Sequence, residues 1–345
     1  MTATAERREA PDLRAERGRS RVPVAGVVAG GVLAVVIATW LTLPGPVPGI
    51  PMPGRLVEYG LPVTRLVLDL AATAAVGLSL LPKLLGFDDP GGTEPVAARA
   101  RHWAVVAALV WCASALIATV LSAAEVTPGT APDVATYVDR VGSGQGLVVS
   151  ASCALTSAAV GMLAVRFGEK VPAELRVLVA GFGLLPLPVT GHASNWYWHD
   201  ISMVSMELHV LGAAAWTGGL LAFAGLLARD RELLARTLPR FSRLATYALL
   251  VVGLSGLFNG VVELLLAPGE SFPQSLLTTG YGRLVVVKAV FVAVIALLGA
   301  NIRWRLMPAV ARRAPAAFAA WAAFELTVMG LAYGVAVVLT RTPVA

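Results

Sequence analysis

The run Asp200-Ile-Ser-Met-Val-Ser-Met-Glu-Leu-His-Val-Leu-Gly-Ala-Ala-Ala-Trp-Thr-Gly-Gly-Leu-Leu-Ala-Phe-Ala-Gly-Leu-Leu-Ala228 carries one formal charge, Glu207, after its first residue. An apolar stretch of about 20 residues suffices to carry an α-helix across the hydrocarbon core of a bilayer. This run is long enough to do so, and it bears an unusual stripe. His199, Met203, Met206 and His209 follow one another at steps of four, three and three. At about 100° per residue they share one face of a helix. Imidazole and thioether are the ligands that a soft ion such as Cu(I) prefers. Three of the chain's four histidines, His192, His199 and His209, fall close together around the start of this run.

The rest of the chain has the same character. Of its 345 residues 57% are hydrophobic and 14% charged, with a mean hydropathy of +0.74. An ordinary soluble domain carries roughly 25% charged residues. The composition therefore predicts an all-α, polytopic membrane bundle. We read nine spans, near 22–43, 61–83, 102–124, 145–167, 175–193, 200–228, 244–266, 282–303 and 315–339. All but six of the 27 Lys and Arg residues fall in the tail and in alternate gaps between spans. The exceptions are Arg55, Arg65, Arg140, Arg283, Lys288 and Arg341. That bias predicts the N-terminus inside and the C-terminus outside. The net charge of +6 thus reflects topology and not nucleic-acid binding.

Residues 1–21 mix Arg with Glu and Asp, and a disordered cytoplasmic tail is expected there. Residues 22–345 then form one membrane domain. The first apolar run is too long for the core of a signal peptide. Residues 43–54 form a Pro/Gly-rich outer loop. No phosphate loop, nucleotide fingerprint or nucleophile–base constellation is visible, so no enzyme is expected. Cys112 and Cys153 lie inside spans and make no CxxC motif. They read as small buried residues or as deeper thiol stations for a soft metal.

Ionisable groups inside spans cost about 2.5–3.5 kcal/mol each on insertion scales. Arg65 and Asp69 stand four apart, a pairing distance on a helix. Glu207, Lys288 and Glu325 are further intramembrane charges, and Glu263 sits near a span end. Lys288 paired with Glu325 or Glu207 would hold helices together. Alternatively Asp69, Glu207, Lys288 and Glu325 form a relay or balance the charge of a passing cation. His102, at the inner end of its span, reads as structural. Trp216-Thr-Gly-Gly219 offers small residues for close helix approach.

Several stretches resemble the copper resistance protein D (CopD) family. They are Leu208-His-Val-Leu-Gly-Ala-Ala-Ala-Trp-Thr-Gly-Gly-Leu220, Arg240-Phe-Ser-Arg-Leu-Ala245, Thr279-Gly-Tyr-Gly-Arg-Leu-Val-Val-Val-Lys288, Asn301-Ile-Arg303, Glu325 and Leu339-Thr-Arg-Thr-Pro343. They place a CopD-like core at about 190–345. Gly54-Arg-Leu-Val-Glu-Tyr-Gly-Leu-Pro-Val-Thr-Arg-Leu-Val-Leu-Asp69 is similar to the front of actinobacterial proteins that fuse such a core to a cytochrome c oxidase assembly domain. The resemblance implies a plasma-membrane protein that helps copper cross from the outer side to the cytoplasm. It also implies a copper-binding outer partner of the CopC type. His192, His199 and His209 match the family's histidine positions, whereas Met203 and Met206 come from the stripe alone. The expected cargo is copper as Cu(I), captured by His192 and His199 and passed along Met203 and Met206 to His209. Two alternatives stand beside it. One is a haem protein with ligands such as His192 and His209, since membrane cytochromes hold haem between histidines. The other is a copper-binding chaperone or sensor that moves nothing.

Overall fold

The computed structural model describes residues 13–43, 45, 51–188, 199–228, 230–266, 274–301 and 315–342. All regular structure among them is helical. The helices are α1 (Leu13–Thr42), α2 (Arg55–Leu85), α3 (Pro90–Val126), α4 (Val134–Arg140), α5 (Gly142–Phe167), α6 (Ala173–Phe182), α7 (His199–Ala222), α8 (Arg231–Leu266), α9 (Ser275–Thr278), α10 (Gly280–Asn301) and α11 (Pro315–Leu339). A π-helical turn, Phe223–Leu227, continues α7.

Among the described residues eight helices are long and apolar enough to cross a membrane. They correspond to eight of the nine expected spans. The remaining one, 175–193, takes a different form. Its helix α6 has ten residues, about 15 Å at 1.5 Å per residue. Turns then carry the chain to Pro188, with Leu184 N bonded to Gly181 O and Leu187 N to Leu184 O. Gly181, Gly183, Pro186 and Pro188 explain the break, because glycine ends helices readily and proline donates no backbone bond. Irregular backbone inside a bilayer must be buried in protein or line a cavity, and here Gly183, Leu184 and Pro188 are buried. The Gly183 carbonyl accepts from Ser150 Oγ at 3.0 Å, and Ser150 accepts from Trp111 Nε1 at 3.1 Å.

Helix α1 starts at Leu13, so the described part of the basic tail is helical and continuous with the first span. Leu, Arg, Ala and Glu are good helix formers, and they extend a helix that the membrane span has already nucleated.

Small residues set the closest helix contacts. A Cβ built on Gly77 of α2 would lie 1.9 Å from the carbonyl carbon of Gly218 on α7. Gly219 faces Phe241 of α8, where a Cβ would come within 2.7 Å of the ring. The Trp216–Gly219 motif therefore does serve close packing, on two sides at once. Helices α1 and α11 form a second tight seam, with Gly330 against the Val27 carbonyl and Gly334 against that of Gly31.

Charges gather at the two ends of the bundle. At one end Arg101, 3% exposed, pairs with Glu94 and Glu169, and Arg176 shares Glu169 at 2.7 Å. Lys83 pairs with Glu174 nearby. Arg240 donates to the last carbonyls of α2, Leu84 at 3.1 Å and Leu85 at 2.8 Å. Those carbonyls lack helical partners and carry the negative end of the dipole. At the opposite end Arg341, just past α11, pairs with Glu125 near the end of α3. Between the ends, large apolar side chains such as Leu178, Leu254, Leu257 and Leu297 face outward, as lipid contact requires.

Candidate functional site

A cavity of about 220 Å³ lies within the bundle. Its walls come from α2, α7, α8, α10, α11 and the irregular segment after α6, which supplies Leu184, Leu187 and Pro188. The lining is mostly apolar, and its polar groups fall on repeated faces of the helices. Asp69 and Thr73 stand four apart on α2, Asn259 and Glu263 four apart on α8, and Met329 and Tyr333 four apart on α11. Residues so spaced share one helix face.

Hydrogen bonds tie the faces together. Towards the end where α7 begins, His209 Nδ1 lies 3.0 Å from Ser255 Oγ on α8, and the histidine is 8% exposed. One turn on, Asn259 Nδ2 donates to Ser205 Oγ at 2.9 Å and to the Ser255 carbonyl at 2.8 Å. Deeper, Tyr333 OH and Thr73 Oγ1 are 3.1 Å apart. Thr217 of α7 lines the same cavity. Met329 lies one further turn towards the arginine-rich end and is 2% exposed. The cavity therefore runs from the level of Glu263, Tyr281 and Thr340, past Met206, His209 and a polar girdle, to Met329, Trp216 and Ile295.

The structure brings some of the sequence-predicted residues together and separates others. Met206 and His209 line the cavity, as do Asp69 and Lys288. Met203 is half-buried and does not line it. His199 is the first residue of α7. His192 lies outside the described residues. Asp69 and Arg65 interact electrostatically, as their spacing implied. Among the described residues no ion pair joins Lys288 to Glu325 or Glu207. Glu207 stands two positions from His209, about 200° around α7. Glu325 lies one turn past Met329, 2% exposed, and is not part of the lining. The charge of Lys288 acts instead on His209. Cys112 and Cys153 are free, half-buried and off the cavity, Cys112 packed on the core shared by α2, α3, α5 and α6 and Cys153 against Gly183. His102 is exposed and packs edge-on to Trp103 with ring centres 6.3 Å apart.

Among the described residues no three His, Cys, Asp or Glu side chains converge. The soft donors of the cavity are two thioethers and one imidazole. Met329 and Ser255 escaped the sequence reading. Their signal was present as steps of four, Glu325–Met329–Tyr333 and Ser255–Asn259–Glu263, but spacing alone does not say which stripes face each other.

Two family models match the chain. Copper resistance protein D-like, N-terminal domain, covers residues 56–200, and Copper resistance protein D covers residues 235–339. The first contributes Asp69 and Thr73 to the cavity, the second Asn259, Lys288 and Met329. Helix α7, with Met206 and His209, joins the two. Copper transport protein CutJ of Bacillus subtilis (strain 168) is 33% identical over 129 residues, which is 36% of this chain and 23% of that protein. The chain thus spans about a quarter of that relative's length. No solved structure matches. With both of its parts matched in order around one shared cavity, this multi-pass membrane chain belongs to the copper resistance protein D family.

Proposed function

We propose that the protein carries copper ions across the plasma membrane towards the cytoplasm through this cavity, as a transporter and not as an enzyme. The observation that carries the reading is the lining itself. Met206, His209 and Met329 are soft donors on two facing helices of one membrane-embedded cavity, and thioether and imidazole suit Cu(I). Asp69 offsets the positive charge of the ion in passage, and Lys288 limits how many cations the cavity holds at once. Glu325, one turn beyond Met329, is the next carboxylate on the way to the arginine-rich end. The positive-inside bias assigns that end to the cytoplasm. Inward movement of a monovalent cation then gains about 2.3 kcal/mol per 100 mV of interior-negative potential. Capture at the outer mouth falls to His192 and His199, with an extracytoplasmic CopC-type protein as donor. Irregular backbone at a membrane cavity, here 183–188, is a recurrent feature of transporter sites, which supports transport over static binding.

Copper accumulation in cells expressing His209→Ala or Met206→Leu tests this reading, beside metal content and absorption spectra of the purified proteins. Loss of accumulation with full-length protein still in the membrane is expected. Normal accumulation by a well-expressed His209→Ala variant would overturn it. A Soret band in the parent protein would replace it with haem binding.

A further inference from the structure

We propose that Ser255 fixes the tautomer of His209 and so presents Nε2, not Nδ1, to the metal. This rests on the copper reading above and adds a positioning residue on a second helix. A serine hydroxyl has one proton. The proton of Ser255 is committed to the Val251 carbonyl, four residues back on α8, a bond that helical serines commonly make. The contact of 3.0 Å between Ser255 Oγ and His209 Nδ1 must then be donated by the ring. The Val252 carbonyl, 3.4 Å from the same hydroxyl, is a second backbone acceptor for that proton. With Nδ1 carrying the hydrogen, the lone pair of a neutral imidazole is left on Nε2. Metal-binding histidines are oriented in this way by an acceptor on their other nitrogen.

The next residue completes the cradle. A Cβ on Gly256 would fall 3.1 Å from His209 Cε1 and 3.4 Å from Nδ1. The ring edge therefore lies against the α8 backbone at Gly256, where a Cβ would press on it by a few tenths of an ångström. Asn259, one turn on, braces the same pair of helices through Ser205 and the Ser255 carbonyl. The ring is thus held by hydrogen bond and by shape, with one nitrogen spoken for.

Two measurements on the full-length, detergent-purified protein test this. In ¹⁵N-histidine NMR of the metal-free protein, the resonances lost in His209→Ala identify this ring. Protonation at Nδ1 is expected, and protonation at Nε2 overturns the proposal whatever the variants do. In Cu(I) titration against a chromogenic chelator, Ser255→Ala should weaken binding roughly tenfold to a hundredfold, the usual cost of removing such a partner. Ser255→Thr keeps the hydroxyl and should restore most of the loss. Gly256→Ala should weaken binding by displacing the ring. If Ser255→Ala binds Cu(I) as the parent does while His209→Ala does not, the positioning role fails and the copper reading stands. If His209→Ala also binds normally, the copper reading itself fails. Should Ser255→Ala not fold, the NMR result on the parent protein decides.

Discussion

Gly77 of α2 and Gly218 of α7 meet backbone to backbone, and a Cβ on Gly218 would lie 2.1 Å from the Thr73 carbonyl oxygen. The contact fixes the wall of the cavity that carries Asp69 and Thr73 against the helix that carries His209. Gly218→Ala should part the two helices and cost about 1–3 kcal/mol, the usual penalty for overpacking. Thermal melting in detergent reads the loss. An unchanged midpoint would mean that the helices are not held at this distance.

Tyr333 and Thr73 close the polar girdle of the cavity from α11 and α2. Tyr333→Phe removes the hydroxyl and leaves the ring, so about 1 kcal/mol of stability should go. If the girdle lines the copper path, the rate of accumulation falls further than the amount of folded protein. Parallel losses of rate and of protein would make the bond purely structural.

Glu169 serves two buried arginines, Arg101 at 2.7 Å and Arg176 at 2.7 Å. Glu169→Ala leaves both short of an acceptor, although Arg101 keeps Glu94. Removing one partner of a buried pair costs about 3–5 kcal/mol. Partial exposure of Glu169 brings the expected value to the lower part of that range. Denaturant unfolding of the variant checks this, with Arg101→Ala as the companion measurement.

Ser150 holds the broken helix by bonding the Gly183 carbonyl. Ser150→Ala orphans that carbonyl and the Trp111 Nε1–H together, about 1–3 kcal/mol for each buried group. Gly183 also packs directly on Cys153, whose Cβ lies 2.7 Å from a Cβ built on the glycine. Maleimide labelling of Cys153 should therefore quicken in the variant, with Cys112→Ala in the background to remove the other thiol. Unchanged labelling would show that the turn is held by something else.

Two carboxylates at the arginine-rich rim set a pH limit. Asp89 caps α3 by accepting from the Gly92 N–H and bonds Arg236, which holds its carboxyl below the ordinary 3.8. Lys83 likewise holds Glu174 below the ordinary 4.5. Groups lowered on folding lend stability that is complete above their ordinary values and fades as pH falls through the lowered ones. The rim should therefore loosen only below about pH 4 and show no change from pH 6 to 8. Melting curves across that range test it, and Lys83→Ala should flatten the acid limb.

The eight continuous spans were legible because membrane insertion depends on local hydropathy, which a sequence displays directly. The break after α6 was less so. Gly181, Gly183, Pro186 and Pro188 were visible, but membrane helices tolerate such residues, and the Ser150 bond that satisfies the Gly183 carbonyl comes from another helix. Met206 and His209 proved to face one cavity, as their spacing implied, whereas Met203 lies just off it on the same helix. Arg65 and Asp69 could be paired because they share a turn. Lys288 could not be paired, since its neighbours depend on which helices pack together, and residue spacing is silent about that. Ser255 and Met329 were missed for the same reason: each gains its meaning from a helix far away in sequence.

The glycine seam between α1 and α11 also orders the making of the protein. Helix α1 leaves the ribosome before residues 43–314 have been translated, and α11 follows them. Until then the face that will receive Gly330 and Gly334 has no protein to rest on. The seam cannot close until α11 has been inserted. A chain halted before Pro315 keeps that seam open, and the α1 backbone around Val27 and Gly31 then lacks the helix that packs on it in the finished bundle.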